Sequence, residues 1–164
     1  MVARNKTRKV YYPPKYYRGL SKTKKAKRLT EIRKFGSMNW KSRKAYVGFK
    51  TNIGVKTKTS SYTKAWDTMF PGVKSLKERA KVTGVPEDLI RESYNRGLAA
   101  WRTGHRPGAT AGQWGFARVS SFLLLGKTAS TTDADLVRKA KERSVKARQW
   151  YARMEKESPV QYKK

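Results

Sequence analysis

GHRPGATAGQWGFARVSSFLLLG, residues 104–126, decides the fold. Gly104 stands where a preceding helical pattern runs out, and Gly is the common residue just past a helix end. Arg106 is held extended by Pro107, since the residue before a proline avoids the helical region. Gly108 permits a turn. Thr110 and Gln113 have the spacing of a capping box, in which each side chain satisfies a backbone N–H at the start of a new helix. In that helix Trp114, Ala117, Phe122 and Leu125 cover one side, and Phe116, Val119 and Leu123 cover another. A helix apolar on two sides belongs in the middle of a molecule. Gly112 and Gly115 weaken a helix interior, and close approach of another backbone is the compensation they suggest. The stretch therefore predicts a tight corner made by Gly104, Pro107, Thr110, Gln113 and Trp114, leading into a central helix.

Helical signals continue on both sides. Residues 61–70 end at Pro71-Gly72, and residues 73–83 are closed by Gly84. Pro86 opens the next helix, with Glu87 and Asp88 in the first turn, where the helix dipole favours acids. Leu89, Ile90, Tyr94, Leu98 and Trp101 follow with helical spacing and are expected in the core. A long final helix is expected over 132–157, with Leu136, Ala140, Ser144, Ala147, Tyr151 and Met154 in one row.

Charge divides the 164-residue chain. The net charge is +29, and the first 60 residues hold 19 Lys and Arg against the single acid Glu31. Such a balance opposes compaction unless a polyanion neutralises it, and nucleic acid is the obvious polyanion. YYPPKYYRGL, residues 11–20, reads as extended around its two prolines, its tyrosines either stacking on bases or lying over the chain's own domain. Ser21 offers an N-cap for a basic helix to about residue 34, with Leu29 and Ile32 as its sparse apolar positions. Residues 45–61 read as extended and leave room for a short hairpin around 52–54. The expected architecture is mainly α. Residues 61–164 form a helical domain, and residues 1–60 form a basic arm too poor in aliphatics to fold without a partner.

Several chemistries are excluded or disfavoured. Cysteine is absent, which removes disulfides, thiol catalysis and Cys-based zinc sites. No apolar run approaches a transmembrane length. Gly126-Lys127-Thr128 resembles the end of a P-loop, but the motif's first Gly would fall at Ser121. Residues 76–97 have helix-turn-helix spacing at Ala80, Gly84, Val85 and Ile90, yet the second helix begins Pro86-Glu87-Asp88, and acids at that end repel phosphate. Asp133 and Asp135 are explained by capping rather than by a metal. His105, the sole histidine, lacks an assured catalytic partner. A structural corner is the preferred reading there, ahead of a phosphate clamp built from His105, Arg106 and Arg118, with catalysis a distant third.

The elements at residues 94–107, 110–118, 126–127 and 133–136 have a wider likeness. Tyr94-Asn95-Arg96-Gly97 with Ala99-Ala100, Gly104 and Arg106-Pro107, then Thr110, Trp114-Gly115 and Ala117-Arg118, then Gly126-Lys127 and an acidic helix start, resemble an uncharacterised basic protein family of large DNA viruses of algae and protists and of some marine phages. The resemblance covers roughly residues 75–142. It implies a viral context and supplies no catalytic residues.

Charge and resemblance together give the expected function: a virion structural protein, either a minor capsid protein or an internal basic protein, made in the host cell and carried in the particle. Its expected partners are other capsid proteins and nucleic acid bound with little regard to sequence. The expected phosphate contacts are Arg4, Lys6, Arg8, Lys9, Lys24, Lys25, Lys27 and Arg28 in the arm, and Arg106 and Arg118 at the corner. A DNA-binding or condensing protein acting outside the shell is the alternative, with ribosome-like RNA binding third. No enzymatic activity, cofactor or metal is expected.

Overall fold

The computed structural model describes residues 12–39, 41–105 and 107–160. Its regular structure is helical, as expected for a mainly α chain: α1 (Lys22–Gly36), α2 (Lys44–Val47), α3 (Ser61–Met69), α4 (Leu76–Thr83), α5 (Glu87–Thr103), α6 (Ala111–Leu123), α7 (Lys127–Ser130), α8 (Ala134–Arg143) and α9 (Val145–Glu157). Short 3-10 turns lie at Pro14–Tyr16 and Lys50–Asn52. No strand occurs among the described residues, so the expected hairpin is absent. At its place the Lys50–Asn52 turn is tied to α1 by the Glu31 carboxylate, which accepts from the Lys50 and Thr51 amides.

The α5–α6 pair forms the centre. The capping box of α6 is present in full: Thr110 Oγ1 accepts from the Gln113 amide, and Gln113 Oε1 accepts from the Thr110 amide. Along α5 the buried row is Leu89, Ser93, Gly97 and Trp101, together with Ile90. Leu98, expected inside, is only half-buried. The small residues in that row set the helix spacing, because a Cβ on Gly97 would lie 2.8 Å from the Gly115 Cα. Gly112 has no such neighbour, so close approach accounts for one of the two α6 glycines and not the other. On the far side of α6, Val119, Phe122 and Leu123 are fully buried against Trp66, Leu136 and Tyr151. Each such side chain contributes roughly 1.5–3 kcal/mol relative to exposure.

The expected final helix is two helices. At Ser144 the backbone turns extended (φ −142°, ψ 123°). Ser144 Oγ accepts from the Ala147 amide and donates to the Gly84 carbonyl. A serine that can cap the next helix and bond a neighbouring turn competes with helix continuation. The apolar row survives the break: Leu136, Ala140, Ala147, Tyr151 and Met154 are all buried.

A second, smaller cluster corrects the expected division at residue 60. Ile32 and Phe35 of α1, Ala45 of α2 and Phe49 pack on Trp101 of α5, with Tyr12, Tyr16 and Trp114 around them. Residues 12–60 are thus not a free arm. They are too poor in aliphatics to make a core alone, and they borrow Trp101 from the helical unit. Of the two readings of the tyrosines, Tyr12 and Tyr16 follow the one in which they lie over the chain's own domain.

Candidate nucleic-acid interface

The corner at residues 104–110 is built around Arg28, which the sequence placed on the arm, and His105, which the sequence placed in the corner itself. Arg28 was expected to contact phosphate, and it is fully buried. It lies one turn before Ile32 on the inner face of α1. Its Nε donates to the Tyr16 carbonyl, Nη1 donates to Thr51 Oγ1 and Asn52 Oδ1, and Nη2 donates to the His105 carbonyl. Thr51 passes the charge on, since its hydroxyl donates to the Glu31 carboxylate. Burial, partly offset by Glu31, pushes the Arg28 guanidinium down to about 10, so it remains charged at neutral pH.

His105 is also fully buried, stacked on Trp101 with ring centroids 3.9 Å apart. Its Nδ1 lies 2.8 Å from the Trp101 carbonyl and therefore carries the proton. Nε2 is then an acceptor and takes the Asn52 amide N–H at 2.8 Å. That orientation leaves Asn52 Oδ1 to accept from Arg28 and from the Gly108 amide. Burial, and then the Arg28 charge, push the imidazole down to about 3. His105 is neutral, enclosed and committed to structure, which removes it from a phosphate clamp. Gly108 has φ +86°, and a Cβ there would collide with the Val55 carbonyl, so the turn needs glycine for two reasons. Gly104 and Pro107 are buried in the corner. Trp114, expected on an apolar side of the central helix at the corner, is half-buried against the small cluster.

Arg118 is not free for phosphate either. Its Nε and Nη2 grip Asp133 at 3.1 and 2.8 Å. Asp133 was expected to cap α8, but its side chain makes no cap bond. It is fully buried, and it accepts from Ser93 Oγ and Arg96 as well as from Arg118, joining α5, α6 and α8. Arg4, Lys6, Arg8, Lys9 and Arg106 lie outside the described residues.

The remaining expected contacts are open. Lys24, Lys25 and Lys27 are exposed on α1, beside exposed Lys15, Arg18 and Lys22. The ion pairs between described residues all fall between Asp67 and Glu157. The single acid of α1, Glu31, is occupied by the Lys50–Asn52 turn. The first half of α1 thus presents lysines without neutralising carboxylates, while acids past residue 66 are spent on local arginines, lysines and caps. The helix-turn-helix reading fails on burial: α5, the helix in recognition position, is the central helix, and Asp88 at its start pairs with Arg143.

Among the described residues no group of His, Asp and Glu has metal-site geometry, and no helix is long and apolar enough to cross a membrane. The chain belongs to a family of unknown function (DUF5824), whose pattern matches residues 13–149. That match runs across the expected boundary at residue 60, takes in Ile32, Phe35, Ala45, Phe49 and Trp101 of the smaller cluster, and ends just before Trp150, Tyr151 and Met154 of the larger one. Neither a curated protein nor a solved structure matches the chain.

Proposed function

We propose that the protein is a basic structural component of a virus particle, a minor capsid or internal protein, that contacts packaged nucleic acid through the first half of α1 and the turn before it. The observation that carries the nucleic-acid part is the set of exposed Arg18, Lys22, Lys24 and Lys27, none ion-paired among the described residues. The particle is supported by the resemblance at residues 94–136. Exposed lysines on a short helix engage phosphates as point charges and read no bases, so binding is indifferent to sequence.

The test compares the full chain with a Lys22→Ala, Lys24→Ala, Lys27→Ala variant on duplex DNA across salt concentrations. For each phosphate that the variant no longer neutralises, the logarithmic salt slope falls by about 0.9. An unchanged slope moves the interface away from α1, and a strong preference for one sequence ends the proposal of indifferent binding. Particle membership is read separately, by whether the protein stays with purified capsid shells emptied of DNA. Loss with the DNA assigns it to the genome side, and absence from particles overturns the structural role.

A further inference from the structure

Residues 57–60 run past the first turn of α3 and the side of α6, and they enclose a groove of about 780 Å³. Lys15, Lys58 and Lys127 stand at its edge, all exposed. Asp67 is the acid in its lining, already held by Lys74 at 2.9 Å. Tyr62 and Trp114 provide aromatic wall. The α3 amides of Ser61 and Thr63 have no partner among the described residues, as is usual in a first helical turn.

At the base of the groove lies Arg79, only 2% exposed. Its guanidinium sits between two rings, 4.7 Å from Trp66 and 5.1 Å from Phe116. Nε donates to the Lys74 carbonyl and Nη1 to Ser120 Oγ. Nη2 has no partner among the described residues, and no carboxylate there comes within ion-pair distance. Arg28 is the contrast: equally buried, it has all three nitrogens bonded within the chain. A buried cation without a counter-charge is costly to keep. In Arg79 the fold keeps one whose stabilising acid, Asp67, acts only from beyond ion-pair distance, fixes its orientation with two bonds and two rings, and leaves one nitrogen toward a groove edged by lysines.

We propose that this groove binds the phosphate of a nucleotide unit, with Arg79 Nη2 and the edge lysines on the phosphate and the Tyr62–Trp114 wall against the base. A guanidinium nitrogen fixed beforehand donates to a phosphate oxygen without further ordering, and stacking on an aromatic wall accepts any base. The nucleotide unit comes either as a free mononucleotide or as part of a single strand. The site is separate from the α1 lysines, and it stands or falls independently of the virion role.

Calorimetric titration of the full chain with thymidine 5′-monophosphate, thymidine and a short 5′-phosphorylated oligothymidylate tests it. The phosphorylated ligands are expected to bind at least about tenfold more tightly than thymidine, the value of one charge-assisted hydrogen bond. Arg79→Lys keeps the charge but removes the fixed Nη2 donor and is expected to lose about the same factor. Because position 79 is buried, Lys58→Ala with Lys127→Ala, both at exposed positions, serves as the second variant and is expected to weaken binding by a similar factor. The Lys22, Lys24, Lys27 triple variant is expected to leave mononucleotide affinity unchanged, which separates failure of this site from failure of the α1 interface. Equal affinity for the mononucleotide and the oligonucleotide identifies the free nucleotide as sufficient, and binding of the oligonucleotide alone identifies the strand; both uphold the site. No saturable binding of either phosphate ligand, or affinity unchanged in the Lys58, Lys127 variant, overturns it.

Discussion

The two apolar clusters solve the same problem by different means. The larger one, around Val119, Phe122, Leu123, Leu136 and Tyr151, is held by area: long side chains from α3 to α9 exclude water over a continuous interior. Its buried polar hub, Asp133, sits at one margin and ties helices that already pack. Among the described residues the smaller one has Ile32, Phe35, Ala45, Phe49 and Trp101 inside. It is held by a polar network through Arg28, Thr51, Asn52 and His105, with Trp101 stacked on His105 and Phe49 edge-on to Trp101. A basic, aliphatic-poor segment can therefore be fixed to a helical unit when a buried arginine collects carbonyls from several turns at once. The arrangement depends on each polar partner being present, where the larger core tolerates local change better.

Removing the arginine gives the sharpest contrast. Arg28→Ala strands the Tyr16 and His105 carbonyls and takes one of two donors from Asn52 Oδ1, and it is expected to cost about 3–5 kcal/mol in denaturant unfolding. The loss is expected to appear first as faster amide exchange over residues 12–60, with the α6–α9 core still protected. Uniform loss across the chain would show that the clusters do not differ in this way.

Acid gives the next largest effect. The folded imidazole of His105 lies at about 3, below its unfolded value of about 6.5. The unfolded chain therefore binds the extra proton as pH falls, and the stability present above about 6.5 is lost toward 3. Between pH 6.5 and 4.5 the unfolding free energy is expected to drop by about 2–3 kcal/mol. Asp88 and Asp135, held low by their arginines, lose their contributions only below about pH 4. The drop is expected to vanish in a His105→Gln variant, and its persistence there would assign it elsewhere.

Within the larger cluster Gly97→Ala tests the helix crossing. The new methyl meets the Gly115 backbone, which cannot swing aside as a side chain can. Net of the better helix propensity of Ala, the cost is expected to be about 1–2 kcal/mol by thermal unfolding. Gly112→Ala, whose Cβ would make only an ordinary 3.7 Å contact with the Tyr94 hydroxyl, is expected to be neutral or stabilising and serves as the control. Trp114→Ala is expected to cost only about 1 kcal/mol, because the side chain is half-exposed. A cost near that of a fully buried tryptophan would mean that Trp114 anchors the corner after all.

What could be read from the sequence was local. The Thr110–Gln113 box, the stop at Gly84 and the start after Pro86 are interactions between residues a few positions apart, and their residue types announce them. The α1 lysines could be read as exposed for the same reason. Arg28 could not be told from Lys27 by composition, although its place on one helical face with Ile32 and Phe35 was a usable sign. Asp133 looked like a cap because its true partners, Ser93, Arg96 and Arg118, lie on other helices. The break at Ser144 was hidden because the apolar row continues through it. Arg79 carried no local signal: its two rings and its groove exist only in the folded chain.

The bond from Arg28 to the His105 carbonyl spans 77 residues and has a consequence in time. On a translating ribosome, which adds about 5–20 residues each second, the basic segment emerges roughly 4–15 s before the corner that will seat it. During that interval nothing in the chain can enclose Arg28, and α1 is a nascent cationic tether among cellular RNA. The partners within the α5–α6 hairpin are close in sequence, so its closure is expected to precede docking of the waiting segment. Until residue 105 emerges, phosphates around the nascent chain are thus expected to compete with its own carbonyls for Arg28.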